Sequence, residues 1–104
     1  MKKITLYIGL NDKDTHTQII NTLDAYRVVN NILETDSTIT ECKGVYTHKD
    51  KTITVENTLQ VVLLDFDNVL DKRWVTDKAD RIKLALNQES IAYQEETEIV
   101  SELI

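Results

Sequence analysis

Aliphatic and polar residues alternate over the first ten positions of the chain. The aliphatic residues at even positions share one side of an extended segment: Ile4, Leu6, Ile8 and Leu10. A period of two over eight residues predicts a β-strand over residues 3–10 with one buried face. Tyr7 then faces away from the core.

Two later segments carry aliphatic residues at helical spacing. In the first, Thr15 and Gln18 match a capping box, which predicts a helix over residues 15–34. In the second, Asp71 suits an N-cap, and Asn87 tolerates the left-handed conformation of a helix end. The second predicted helix therefore lies between these two residues.

The middle of the chain predicts a hairpin and a central strand. Residues 38–47 and 52–55 are rich in Thr, Val, Ile and Tyr, which favour strands, and the polar residues 48–51 join them as a turn. Residues 59–64 are apolar on both faces, which is typical of a strand inside a sheet. Residues 56–58 between these strands predict a bulge or kink.

A last strand over residues 90–100 completes the order β-α-β-β-α-β. This order predicts one α+β domain over residues 1–104, a ferredoxin-like two-layer sandwich with an antiparallel sheet. In that fold the first and third strands are central, and these are the most apolar strands of the chain. The second and fourth carry the polar and charged residues that protect sheet edges.

The fold leaves one face of the sheet without helices. Tyr7 lies on that face, together with one of two sets from the third strand: Leu59, Val61 and Leu63, or Val62, Leu64 and Phe66. Such a patch predicts a homo-oligomer, a dimer before a trimer. The alternative is that the C-terminal residues Val100, Leu103 and Ile104 cover it.

Composition narrows the function classes. The formal net charge is −6 with acids and bases interleaved, so we expect no direct nucleic-acid binding. The longest apolar run has four residues, and a single cysteine allows no internal disulfide. No signal-peptide pattern opens the chain. We therefore expect a cytoplasmic protein that does not insert into membranes.

Known catalytic and cofactor motifs are missing from the sequence. His16 and His48 have no partner at metal-ligand spacing, so we expect no metal site and two solvated histidines. Cys42 is expected to be packed and unreactive. No glycine-rich phosphate loop is present, and we expect no cofactor. Asp65, Asp67 and Asp71 are interpreted as loop and capping residues.

The C-terminal segment is acidic through Glu95, Glu96, Glu98 and Glu102. One interpretation is a solvated edge strand that is protected from aggregation. The other is a docking surface for a basic partner, as in a phage-like inhibitor that occupies a basic groove.

The connection between the second helix and the last strand gathers three polar side chains. Gln88, Glu89 and Ser90 supply amide donors, an acid and a hydroxyl in consecutive positions. They are candidate ligand-binding residues, with Glu89 as a candidate acid or base. The structural alternative is that Glu89 or Ser90 caps backbone groups at the helix end.

Three motifs occur in one order along the chain. Leu6-Tyr7-Ile8-Gly9 is similar to LYFG, and Gln88-Glu89-Ser90-Ile91 to QESV. The hairpin is similar to GxW…DG…EPS through Gly44-Val45-Tyr46, Lys49-Asp50-Lys51 and Glu56-Asn57-Thr58. Together they resemble a family of small bacterial proteins, domain of unknown function 3574. Lys51 and Asn57 stand where that family has glycine and proline.

The resemblance implies no activity, because the family has none assigned. It groups one set of residues as a candidate site: Tyr7, Gly9, Gly44, Tyr46, Gln88, Glu89 and Ser90. In the predicted fold, Tyr7 and Gly9 lie on a strand next to the one that follows Ser90. One small polar site is therefore expected there.

Three functions stay open from the sequence. The first is a non-catalytic oligomeric module that binds a ligand or protein partner. The second is a small enzyme of the dimeric α+β barrel type, with Glu89 as acid or base and Tyr7 or Tyr46 as its hydrogen-bond partner. The third is the acidic inhibitor, of bacterial or phage origin.

Overall fold

The computed structural model describes residues 1–97, 99–100 and 102–104. It contains four strands and two helices in the predicted order: β1 (Lys2–Gly9), α1 (Thr22–Leu33), β2 (Thr38–Thr47), β3 (Ile53–Asp65), α2 (Lys72–Leu86) and β4 (Ala92–Thr97). The strands form one antiparallel sheet in the order β2-β3-β1-β4. The predicted ferredoxin-like α+β fold is confirmed, with the two most apolar strands at its centre.

The hydrophobic core lies between the helices and one face of the sheet. The aliphatic side chains of β1 and of the residue after it are at most 1% exposed: Ile4, Leu6, Ile8 and Leu10. From β3, the odd-numbered set Leu59, Val61 and Leu63 joins them. Leu64 and Phe66 of the alternative set face away and are 43% and 44% exposed.

The first helix is shorter than predicted. It begins at Thr22, with Asn21 as N-cap accepting a hydrogen bond from the Asp24 backbone N–H at 2.8 Å. The capping box at Thr15 is therefore wrong. The Asp12 carboxylate accepts from the Thr15 backbone N–H at 3.1 Å and holds this segment as a turn, a local alternative to helix.

The predicted break before the central strand is also wrong. β3 runs through residues 56–58 in unbroken register, with Glu56 opposite Gly44 and Thr58 opposite Cys42. The polar side chain of Asn57 hydrogen-bonds to the Lys43 ammonium on the neighbouring strand. Cross-strand pairing thus satisfies the polar residues that the sequence suggested as a bulge.

The second helix agrees with its predicted ends. Asp71 accepts from the Trp74 backbone N–H at 2.8 Å, and Asn87 has the left-handed conformation with φ of 49°. In the preceding loop, the buried Asp65 carboxylate accepts from the backbone N–H groups of Val69 and Leu70 at 3.0 and 2.9 Å. These acids are loop and capping residues, as the sequence predicts.

The last strand ends at Thr97, three residues before the predicted end. Glu98 of the acidic segment lies outside the described residues. Val100, Leu103 and Ile104 are 95%, 91% and 116% exposed, so these side chains do not cover the open sheet face. Within the described part of the chain, no helix is long and apolar enough to cross a membrane.

Candidate functional site

A cavity of about 610 Å³ lies at one end of the open sheet face. Its floor is formed by open-face residues of the four strands, including Tyr7, Gly9 and Glu56. Its walls come from the loop after β1 and from the connection between α2 and β4. The site is therefore assembled from segments that are distant in the sequence.

The five ligand-binding residues predicted from the sequence all line this cavity: Tyr7, Tyr46, Gln88, Glu89 and Ser90. Tyr7 and Tyr46 are 36% and 49% exposed on the open face. The Tyr7 hydroxyl accepts a hydrogen bond from Gln60 Nε2 at 3.3 Å. The structure thus brings together residues that are up to 83 positions apart in the sequence.

Glu56 is held in place at the cavity floor. Its Oε2 atom accepts from the Asn11 backbone N–H at 2.9 Å. The Tyr46 phenol lies beside it. Burial raises the pKa of Tyr46, and the charge and hydrogen bonding of the Glu56 carboxylate raise it further. Tyr46 therefore stays protonated at neutral pH, next to a fixed carboxylate.

Gln88 has a structural role at the cavity wall. Its side chain is 8% exposed, and Nε2 donates to the Asn11 carbonyl at 2.6 Å and to the Leu86 carbonyl at 3.3 Å. Both amide hydrogens are therefore engaged within the protein. Gln88 ties the end of α2 to the loop after β1, which fixes the backbone that carries Glu89.

Glu89 and Ser90 are exposed at the cavity. Neither side chain forms a hydrogen bond or ion pair with any residue of the described part of the chain. The capping alternative predicted for them is therefore not what the structure has. A carboxylate and a hydroxyl with open coordination at a concave surface are available to a ligand.

The loop after β1 is pinned to the C-terminal end of α2. Asn87 Nδ2 donates to Asp12 Oδ2 at 2.8 Å and to Asp14 Oδ2 at 2.9 Å. The Asn87 hydrogen bond is the main reason that the pKa of Asp12 lies below its usual value, and the backbone N–H groups of Thr15 and Asp14 add to this. The cavity wall is thus built from two mutually anchored connections.

Glu56 and both histidines also line the cavity, which the sequence pattern does not predict. His16 lies in the loop with φ of 60°, and not at a helix start. His48 also lines the cavity, with Nε2 2.7 Å from Thr54 Oγ1. The hairpin register brings Glu56 to the cavity, opposite Gly44 and two residue pairs from Tyr46.

Other candidate groups lie outside the cavity. Cys42 is half-buried, and its Sγ atom donates to the Thr58 carbonyl at 3.5 Å. Glu95 pairs with Lys2 at 3.3 Å and accepts from the Tyr93 hydroxyl at 2.7 Å. Among the residues that the structure describes, no group of three or more His, Cys, Asp or Glu could hold a metal ion.

The fold is similar to solved structures of a phage enzyme. A phage SAM lyase in complex with S-methyl-5'-thioadenosine superposes with a TM-score of 0.68 and 21% identity, covering 91% of this chain and 79% of that chain. A phage SAM lyase in the apo state gives 0.67 and 21%, covering 91% and 78%. At this identity the likeness shows the fold.

No protein-family model and no curated protein matches the sequence. The resemblance to domain of unknown function 3574 therefore stays a prediction.

Proposed function

We propose that this chain is a small enzyme that binds S-adenosylmethionine in the open-face cavity and cleaves it as a lyase. The observation that carries the proposal is the cavity itself, where the Tyr46–Glu56 pair and the uncommitted Glu89 converge. Its volume of about 610 Å³ lies in the range of small-molecule sites. The likeness in fold to a phage SAM lyase suggests which ligand to test first.

The charges of the substrate fit the cavity lining. S-adenosylmethionine carries a sulfonium, which loses its charge on cleavage, and an α-ammonium, which keeps its charge. A carboxylate beside the sulfonium would stabilise the charged ground state more than the transition state and so raise the barrier. An aromatic ring attracts the sulfonium more weakly than a carboxylate does, so it raises the barrier less. We therefore assign the ammonium to Glu56 and the sulfonium to the rings of Tyr7 and Tyr46.

The reaction breaks the bond between sulfur and the γ-carbon of the methionine part. The electron pair of that bond goes to sulfur and gives the neutral thioether S-methyl-5'-thioadenosine. As the bond from sulfur to the γ-carbon breaks, either the carboxylate oxygen of the same four-carbon fragment bonds to the γ-carbon, giving a lactone, or a base removes a β-proton and the C–H electrons form the double bond between the β- and γ-carbons, giving an unsaturated amino acid. We assign the proton acceptor of the second route to Glu89, which lines the cavity with an exposed carboxylate.

Chromatography and mass spectrometry of purified protein incubated with S-adenosylmethionine test the activity. We expect S-methyl-5'-thioadenosine together with the lactone or the unsaturated acid. Homoserine formed directly with one water oxygen on the γ-carbon would identify a hydrolase. Binding of S-adenosylmethionine and S-methyl-5'-thioadenosine without any cleavage would favour a non-catalytic binding module.

Two charge-removing variants separate the roles of the carboxylates. Glu56→Gln is expected to weaken S-adenosylmethionine binding by about 10- to 100-fold, since a charge-assisted hydrogen bond contributes about 1.5–3 kcal/mol. It should change binding of S-methyl-5'-thioadenosine by less than about threefold, because that product lacks the ammonium. Calorimetric titration measures both affinities.

Glu89→Gln is expected to lower kcat by about 100-fold or more, with binding little changed, if Glu89 moves a proton in the reaction. The control is Glu96→Gln, which removes the same charge from the exposed strand β4 outside the cavity. Equal rates for Glu89→Gln and Glu96→Gln would contradict an acid–base role.

We also propose that the open face pairs with further copies of the chain, in a dimer or a trimer. Leu64 and Phe66 are close to half exposed on this face, with Val62 beside them. Light scattering is expected to give an oligomer that Leu64→Glu dissociates, because a buried charge without a partner is costly. A monomer at all concentrations would overturn this.

The acidic-inhibitor hypothesis stays a prediction, with salt-sensitive capture of a basic partner as its test.

A further inference from the structure

The chain has only two glycines, and neither occupies a conformation that requires glycine. Gly9 ends β1 and Gly44 lies within β2, and neither has positive φ. Glycine weakens a strand relative to alanine, because it gains no packing and loses more backbone entropy on folding. Some other demand must therefore account for glycine at these two positions.

Space explains Gly9. A Cβ atom at this position would overlap Glu56 Oε1 and lie 2.7 Å from Glu56 Cδ and 2.8 Å from Glu56 Oε2. The carboxylate of Glu56 therefore rests directly on the β1 backbone, where it accepts from the Asn11 N–H. Any larger side chain at Gly9 pushes the carboxylate off this position.

Space also limits Gly44, where the closest contact of a Cβ atom is with Thr58 and the next closest are with the cavity residue Tyr46. A Cβ atom there would lie 3.2 Å from both Cε2 and the hydroxyl oxygen of Tyr46, and 2.8 Å from Thr58 Oγ1. The ring of Tyr46 therefore folds back over the β2 backbone. Gly44 also stands directly opposite Glu56 in the ladder.

We propose that Gly9 and Gly44 are positioning residues of the active site, which together leave a bare patch of backbone on which the Tyr46–Glu56 pair lies. The inference rests on the proposed function, because it assigns the two glycines to orienting the carboxylate that receives the substrate ammonium. The glycines touch no substrate. They act through Glu56 and Tyr46.

Gly9→Ala tests the geometry without reference to any substrate. The clash involves the far end of a flexible side chain, so the fold accommodates it. The Tm is expected to change little, because loss of the Asn11–Glu56 hydrogen bond offsets the gain from replacing glycine in a strand. We expect the substitution to displace the Glu56 carboxylate from Tyr46, which lowers the pKa of Tyr46 toward its ordinary value near 10. NMR titration of protein with ¹³Cζ-labelled tyrosine measures this, with the Tyr46 signal assigned from Tyr46→Phe.

A double-mutant cycle isolates the contact between Gly9 and Glu56. Gly9→Ala is expected to lower the Tyr46 pKa in the wild-type background and to change nothing further in Glu56→Ala, where no carboxylate remains to be displaced. A Tyr46 pKa that is unaffected by Gly9→Ala would overturn the proposal, as would equal effects in both backgrounds.

Binding gives the functional readout. Gly9→Ala is expected to weaken S-adenosylmethionine about tenfold and to leave S-methyl-5'-thioadenosine within about threefold. Glu56→Asp retracts the carboxylate by one methylene and should restore part of the loss when combined with Gly9→Ala. Gly44→Ala should weaken the same ligand by displacing the Tyr46 ring.

The proposed substrate and the positioning role of Gly9 are contradicted by different results. If the wild-type protein binds neither nucleoside, the proposed substrate is wrong, and the Tyr46 titration still decides the role of Gly9. If the wild type binds S-adenosylmethionine and Gly9→Ala binds it equally well, the positioning role is wrong while the proposed function stands.

Discussion

The helix-covered face and the open face of the sheet are built from alternate residues of the same strands. In β1, Leu6 and Ile8 are 0% exposed beneath the helices, while the residue that follows each of them, Tyr7 and Gly9, lines the cavity. At the centre of the sheet the helix-covered face is aliphatic, whereas the cavity end of the open face combines phenols, a carboxylate and glycine. Neighbouring residues of one strand therefore serve different purposes: one packs in the core, and the next lines the cavity.

The comparison teaches how a small domain makes room for a site. A residue on the helix face contributes by packing, so its size and shape are constrained on all sides. No helix packs against a residue on the open face, so the space above it is less constrained. The two glycines lie on the open face, where removing side-chain volume lets neighbouring polar groups approach the backbone.

The largest expected difference between the faces is in core packing. Leu6→Ala should lower the free energy of unfolding by about 2–5 kcal/mol, whereas Leu64→Ala on the open face should cost less than about 1 kcal/mol. Urea denaturation at low protein concentration measures both. Equal losses would show that the open face is as tightly packed as the core, and would remove the distinction between the faces.

An intermediate effect sharpens the comparison at a polar exception on the helix side. Asp65 is 3% exposed and satisfies two loop N–H groups, so Asp65→Ala should destabilise the fold by about 1–3 kcal/mol. Asp67→Ala, in the exposed part of the same loop, should stay within about 0.5 kcal/mol. Thermal unfolding measures both variants, and an equal change in Tm for Asp65→Ala and Asp67→Ala would contradict this prediction.

The smallest expected effect is on the free energy of unfolding at alkaline pH. Tyr93 projects on the helix side of β4, and burial together with the Glu95 hydrogen bond raises its pKa to about 12. The folded state holds this proton more tightly than the unfolded state, whose tyrosine pKa is near 10. Stability from Tyr93 is therefore complete below pH 10 and is lost as pH rises through about 12.

Tyr93→Phe removes the titrating hydroxyl. The variant should therefore lose less stability than the wild type as the pH rises from 10 to about 12. Tyr46→Phe is the open-face counterpart, since the pKa of Tyr46 is raised in the same direction. Denaturation midpoints measured at several alkaline pH values compare them. Parallel pH profiles for wild type and Tyr93→Phe would contradict the assignment.

The sequence predicts those parts of the fold that depend on local patterns. Alternation identifies β1 and its buried face, and the caps at Asp71 and Asn87 locate α2, because each of these depends on neighbouring residues only. The start of α1 was misplaced because Asp12 offers the backbone of Thr15 a competing turn. Local signals of similar strength are decided by tertiary packing.

The site is predicted only in part, for a related physical reason. Tyr7, Tyr46 and Glu89 were grouped by a motif resemblance, and the fold brings them to one cavity. Glu56 was not grouped with them, because its position depends on the register of a hairpin and on free space above Gly9. Neither register nor empty volume leaves a pattern within a short window of sequence.

The peptide group at Asn11 carries a consequence for how this site can change during evolution. Its N–H donates to Glu56 and its carbonyl accepts from Gln88, so Asn11 contributes to the cavity wall through main-chain atoms and not through its side chain. Mutation exchanges side chains and leaves these atoms in place. Nineteen of the twenty amino acids preserve this connection, and only proline, which has no N–H, breaks its Glu56 half. The position can therefore drift in identity while its role is inherited unchanged.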